Sequence, residues 1–144
     1  MFIPNAQAET PYAITNCYYY TSKVLAREKD CIIVTLDIRG IVRSNHENKI
    51  FDNCSFHCEQ IYRKMGDEIK RYCHTKFMDK DGDYFVTESS GAKVMYGKFI
   101  YGTGKWKGIT GSLKFEMIFR GKPMYEGTGQ GCVRNTGTFD LPKK

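Results

Sequence analysis

Eleven of the chain's 14 glycines fall between Gly91 and Gly137, which marks the last third as a series of turns and bulges rather than as long regular elements. The segments between them are short and rich in residues that suit a pleated, half-buried surface. Tyr and Phe number 10 and 9, whereas Ala is scarce and helix-forming runs are few. With 144 residues, 41% hydrophobic content and only 4 prolines, the chain is sized and composed for one compact folded domain. The expectation is an all-β protein.

Strand signals recur along the chain. Tyr12 to Tyr20 and Cys31 to Val42 read as strands, with the charged stretch Ser22 to Asp30 as a strand end and loop between them. The polar Ser44 to Asn48 precedes a short apolar pair, Ile50-Phe51. Ser55 to Phe77 admits two readings. As a helix it would align Cys58, Tyr62, Met65, Ile69 and Tyr72 on one face, with Gly66 in its middle. As a hairpin turning at Met65-Gly66 it would set Cys58 opposite Cys73 and His57 opposite His74. The hairpin is favoured, because Arg71 to Phe77 looks like a strand with an aromatic face. A second tight hairpin is expected around Asp79-Lys80-Asp81-Gly82-Asp83, and further strands over Lys93 to Tyr101, Leu113 to Phe119 and Tyr125 to Phe139. Short strands spaced in this way suggest a sandwich or barrel.

The six cysteines are Cys17, Cys31, Cys54, Cys58, Cys73 and Cys132, and their meaning depends on compartment: disulfides outside the cell, thiols or metal ligands within it. Ala6-Gln7-Ala8 before Glu9 has the small-x-small form of a signal-peptidase site. Residues 1–8 are therefore read as the remnant of an export signal, and residues 9–144 as a single barrel domain in a periplasmic or secreted protein. No stretch approaches the roughly 20 apolar residues of a membrane span. The net charge of +6 is spread among carboxylates with no run of five like charges, so a nucleic-acid partner is not expected.

The most distinctive stretch is Gly102 to Gly111, GTGKWKGITG. It lacks the P-loop spacing and the helix that must follow, so its glycines are read as permitting a bend between two strands. With the strand after it, this segment resembles the glycine-rich signature of allene oxide cyclase-like barrels, which belong to the wider calycin group with dirigent proteins and lipocalin-like folds. Cys58, Cys73, the turn at Asp79 to Asp83, Gln130-Gly131-Cys132, Thr136 to Phe139 and Leu141-Pro142 match as well. Together these pieces, spanning Tyr12 to Pro142, resemble a small exported bacterial barrel family of unassigned function. The resemblance implies a closed antiparallel β-barrel of about eight strands, and it supports export.

Candidate sites follow from that architecture. Asp79, Asp81 and Asp83 alternate as in calcium loops, but counting from Asp79 puts Gly82 fourth rather than sixth and Ser90 where the bidentate Glu belongs. A plain turn is the expectation there. Cys58 and Cys73 are expected to form a disulfide if the protein is exported. Zinc is not expected from this hairpin, since His57 and His74 fall on its other face. The leading functional reading is a small apolar ligand held in the interior or mouth, against Tyr18, Tyr20, Tyr96, Trp106, Phe115 and Phe119. A cofactor-independent cyclase or isomerase using His57, His74, Tyr101 or Glu116 is the alternative. A basic outer surface binding an anionic polymer is the third. None of these calls for a cofactor, and the sequence leaves oligomeric state open.

Overall fold

The computed structural model describes residues 9–143, so the reading of residues 1–8 as an export remnant lies outside the described residues. Eight strands follow one another: β1 (Thr10–Arg27), β2 (Cys31–Ser44), β3 (Ser55–Met65), β4 (Glu68–Met78), β5 (Tyr84–Gly91), β6 (Val94–Gly102), β7 (Thr110–Arg120) and β8 (Thr128–Asp140). Each pairs antiparallel with the next, and β8 returns to pair with β1 from Thr10↔Phe139 to Thr21↔Thr128, so the sheet closes as an eight-stranded barrel. Closure gives every strand a neighbour on both sides, so the sheet has no edge strand. Among the described residues no helix is long and apolar enough to cross a membrane.

Alternation along each strand sorts side chains into an interior and an exterior set. In β1 the inward positions are Tyr12, Ile14, Asn16, Tyr18 and Tyr20, while Cys17 and Tyr19 face out. β1 also runs on through Arg27, into the charged stretch read as a strand end and loop, because Lys23 takes a solvated position while pairing with β2 continues to Arg27↔Ile32. The segment Gly104–Trp106 forms one 3-10 turn between β6 and β7, the bend expected of the glycine-rich stretch.

Ser55 to Phe77 is the β3–β4 hairpin, and the helical reading is excluded. The turn, however, is Gly66-Asp67 rather than Met65-Gly66. Gly66 supplies a positive φ of 57° at the first loop position, where glycine carries no Cβ penalty. That one-residue move shifts the partner assigned to each position by two. Cys58 thus lies opposite Thr75 and Cys73 opposite Gln60, while His57 faces Lys76 and His74 faces Glu59. Cys58 and Cys73 remain diagonal neighbours on the inner face, with Cα atoms 6.6 Å apart, and are joined by a disulfide. A second disulfide links Cys17 and Cys132, which are directly opposed across the β1–β8 seam. Cys31 and Cys54 are free thiols.

The interior has two unlike halves. At the end where β1 begins and β8 finishes, aromatic rings pack solidly around Phe51, which enters from the β2–β3 loop. Its ring lies 4.8–6.2 Å from those of Tyr12, Phe85, Phe99, Trp106 and Phe139. Lys49, Phe51 and Asn53 all adopt positive φ, a backbone conformation that turns this loop inward and drops the ring into the barrel end. The other half is hollow.

Candidate functional site

The hollow half is a cavity of about 380 Å³ that opens at the end bearing the β1–β2, β3–β4, β5–β6 and β7–β8 turns. Its walls are mainly apolar, with Leu36, Ile38, Met95, Phe115 and Val133 among them, and the Cys58–Cys73 disulfide is part of the wall. This volume lies in the range of roughly 300–1,000 Å³ typical of small-molecule pockets.

Tyr18 and Tyr20 stand side by side on one wall, with ring centroids 6.1 Å apart. The sequence makes room for them on the neighbouring strand: Gly131 lies opposite Tyr18 and Gly129 opposite Tyr20. A Cβ on Gly129 would sit 2.5 Å from the Tyr20 ring, and one on Gly131 would sit 2.9 Å from the Tyr18 hydroxyl. The alternating glycines of β8 are thus a bare inner surface against which two tyrosines lie. Tyr18 Oη donates to Met117 Sδ at 3.6 Å. Burial raises its pKa, partly offset by the nearby charge and hydrogen bond of Arg120.

Polar groups punctuate this apolar lining. Asn16 Oδ1, Ser89 Oγ and Arg71 Nε are buried with no hydrogen-bond partner, and all three residues line the cavity. The Arg71 guanidinium lies 5.7 Å from the centroid of the Tyr62 ring. Burial, and then the like charge of Arg120, lower its pKa.

The residues singled out in the sequence divide sharply. Tyr18, Tyr20 and Phe115 line the cavity. Trp106 belongs to the packed end instead, where its Nε1 donates to Asp79 Oδ2 at 2.9 Å. Tyr96 and Phe119 are about 60% exposed on the outer face. Tyr96 faces out because Met95 and Phe99 take the inward positions of β6. Phe119 would face in by strict alternation from Phe115 and Met117, but a bulge between Met117 and Phe119 reverses it.

His57, His74 and Tyr101 also lie on the outside. His57 Nε2 is 2.9 Å from Asp37 Oδ1, and His74 Nε2 is 3.8 Å from Glu88 Oε2. Glu116 borders the rim, but its carboxylate turns to Lys114 at 2.6 Å, and that hydrogen bond holds it below the usual carboxylate range. An acid–base pair of opposed histidines within the barrel is therefore corrected: the two neither oppose each other nor face inward.

Asp79, Asp81 and Asp83 form the expected turn and are taken up by the protein's own donors. Asp79 accepts from the backbone N–H of Asp81 and Asp83 at 2.9 and 3.1 Å. Lys105 Nζ lies 3.0 Å from Asp79 and 2.8 Å from Asp81. The backbone N–H of Lys105 donates to Asp83 Oδ2 at 3.4 Å. Among the described residues no group of three or more His, Cys, Asp or Glu side chains gathers in a metal-binding arrangement.

The cavity arginines escape notice in the sequence. Arg71 carries a usable signal, since it lies two residues before the inward Cys73. Arg120 carries none, because it faces in only after the bulge.

Comparison with known proteins places the architecture. Two solved structures, of the pterocarpan synthase dirigent proteins GePTS1 and PsPTS1, superpose with TM-scores of 0.52 and 0.57, each at 12% identity and over 96% of this chain. The alignments cover 90% and 99% of those chains. The chain shares the dirigent-type barrel fold. No protein-family model and no curated protein matches the sequence.

Proposed function

We propose that this is an exported barrel protein that holds a small, largely apolar molecule in its open half. The observation that carries this reading is the contrast along one set of strands: one end packed solid by aromatic rings, the other enclosing about 380 Å³ behind apolar walls. A fold needing only a core would fill both ends. Export is supported by the two disulfides, which persist in oxidising compartments. The finer kinship, with allene oxide cyclase-like barrels of bacteria, is part of the same proposal and is supported by the shared eight-stranded closure.

A cofactor-independent cyclase or isomerase is favoured by one further observation: Tyr18, Tyr20 and Arg71 bring polar groups to the cavity beside apolar walls. Such an enzyme would act by shaping its substrate and stabilising charge with these groups. The synthase designation of the two fold relatives adds support. The polymer-binding alternative draws less, since six outer basic side chains, among them Arg39, Lys98 and Lys114, sit within 2.6–3.7 Å of carboxylates.

The binding reading is tested with N-phenylnaphthylamine, a neutral apolar dye whose fluorescence rises on leaving water. The protein is expected to bind it with one-to-one stoichiometry, and Leu36→Trp, which fills the cavity, to abolish binding without loss of fold. Binding unchanged by Leu36→Trp would place the dye elsewhere and end the proposal.

A further inference from the structure

Four basic side chains line the cavity: Arg27, Arg71, Lys93 and Arg120. Two of them face inward only because the sheet slips. In β1 the register with β2 shifts between Val24 and Ala26, which pairs Arg27 with Ile32 and so turns an odd-numbered residue to the same side as Val24. In β7 the shift between Met117 and Phe119 pairs Arg120 with the inward Gly131. Both bulges sit near the open rim, and each redirects an arginine from solvent toward the mouth.

Among the described residues no carboxylate answers Arg71 or Arg120, in contrast to the paired basic groups outside, although Arg120 hydrogen-bonds to Tyr18. Arg71 Nε is buried and has no acceptor. Of the cavity residues only Glu116 is acidic, and it is committed to Lys114. A half-buried guanidinium whose Nε is shut from water, as in Arg71, gains from an anionic partner that can accept from it.

We propose that the cavity takes an amphipathic anion: an apolar or aromatic body bearing one oxyanion group, with the oxyanion between Arg71 and Arg120 and the body against Tyr18, Tyr20 and the apolar wall below them. The planar forks of two arginines suit an oxyanion, and the tyrosine faces suit a flat body. The inference rests on the reading of the open half as a binding cavity.

The test compares two dyes that differ by one sulfonate group, N-phenylnaphthylamine and anilinonaphthalene sulfonate, on the full chain. The sulfonate is expected to bind at least about tenfold more tightly, as charge-assisted hydrogen bonds to two arginines imply. The double variant Arg71→Met, Arg120→Met keeps the apolar stems. It is expected to lose that preference, the sulfonate then binding no more than about twofold more tightly than the neutral dye. Should the double variant not fold, displacement of the neutral dye from the wild-type protein by octanoate and by octanol gives the same answer, with octanoate expected at least about tenfold more effective. Equal affinity for charged and neutral partners overturns the anion proposal and leaves the cavity reading standing. Sulfonate binding that survives the double substitution places it on the outer surface and also overturns the proposal. Binding of neither dye removes both.

Discussion

Replacing Cys17 and Cys132 together by alanine should cost this protein more stability than replacing Cys58 and Cys73, although the second pair is the better buried. The seam disulfide closes a loop of 115 residues and the wall disulfide one of 15. The entropy that a cross-link removes from the unfolded chain grows with the logarithm of loop length, giving about 5 kcal/mol for the first and about 3 kcal/mol for the second. Less native packing is forfeited at the seam, where Cys132 is buried but Cys17 is exposed and the two strands stay paired by their backbone ladder. Cys58 and Cys73 are only 5% and 6% exposed, so truncating them adds a packing loss that works against the expected order and makes the comparison stringent. Urea denaturation of both double variants, with the slopes compared to confirm that the unfolding reaction is the same, should separate them by up to about 2 kcal/mol, the loop-entropy difference before the packing loss at the wall is subtracted. In thermal melts the seam variant should lose roughly 10–20 °C. If the seam variant proves as stable as the wall variant or more so, the unfolded chain is not what that bridge restrains, and the reasoning fails.

Phe51→Ala should destabilise the barrel by about 3–5 kcal/mol in denaturant titration, since the ring fills the packed end against five other aromatics; a loss below about 1 kcal/mol would show that the end repacks without it. Asp79 supplies a pH dependence. Burial raises its pKa, but hydrogen bonds from Lys105, Trp106 and the backbone N–H of Asp81 outweigh this and hold the carboxyl below its usual range. A depressed carboxyl stabilises the fold fully above its ordinary pKa of about 4 and ceases to do so as pH falls through the lower native value. Asp79→Asn should therefore lower stability by about 2 kcal/mol at neutral pH and flatten the decline below pH of about 4; an unchanged acid profile would assign that decline to other groups.

Much of the barrel can be read from the chain because its signals are local. The alternation of Leu113, Phe115 and Met117 and the turn chemistry of Asp79 to Asp83 depend only on nearby residues and hold in the structure. The site is less legible, for reasons of parity. A side chain's destination flips with every register slip, and a bulge leaves no mark in composition. Alternation thus assigns Phe119 inward and passes over Arg120, when one extra residue in β7 exchanges them. The β3–β4 hairpin shows the same sensitivity, because Gly66 opens the turn rather than closing it. Phe51 is hidden differently: a loop residue in a positive-φ conformation has no periodicity to reveal that it plugs a barrel end.

The Phe51 plug has a bearing on how such a scaffold changes over time. Because the ring cluster it organises occupies the end away from the mouth, the cohesion of the molecule and the chemistry of its pocket draw on different residues of the same strands. Substitutions at Leu36, Val133 or Met95 can reshape what the pocket admits while the cluster goes on holding the strands together. On the reading of that pocket as a binding site, a barrel built in this way can change specificity by single substitutions in the lining while the packed end carries the stability.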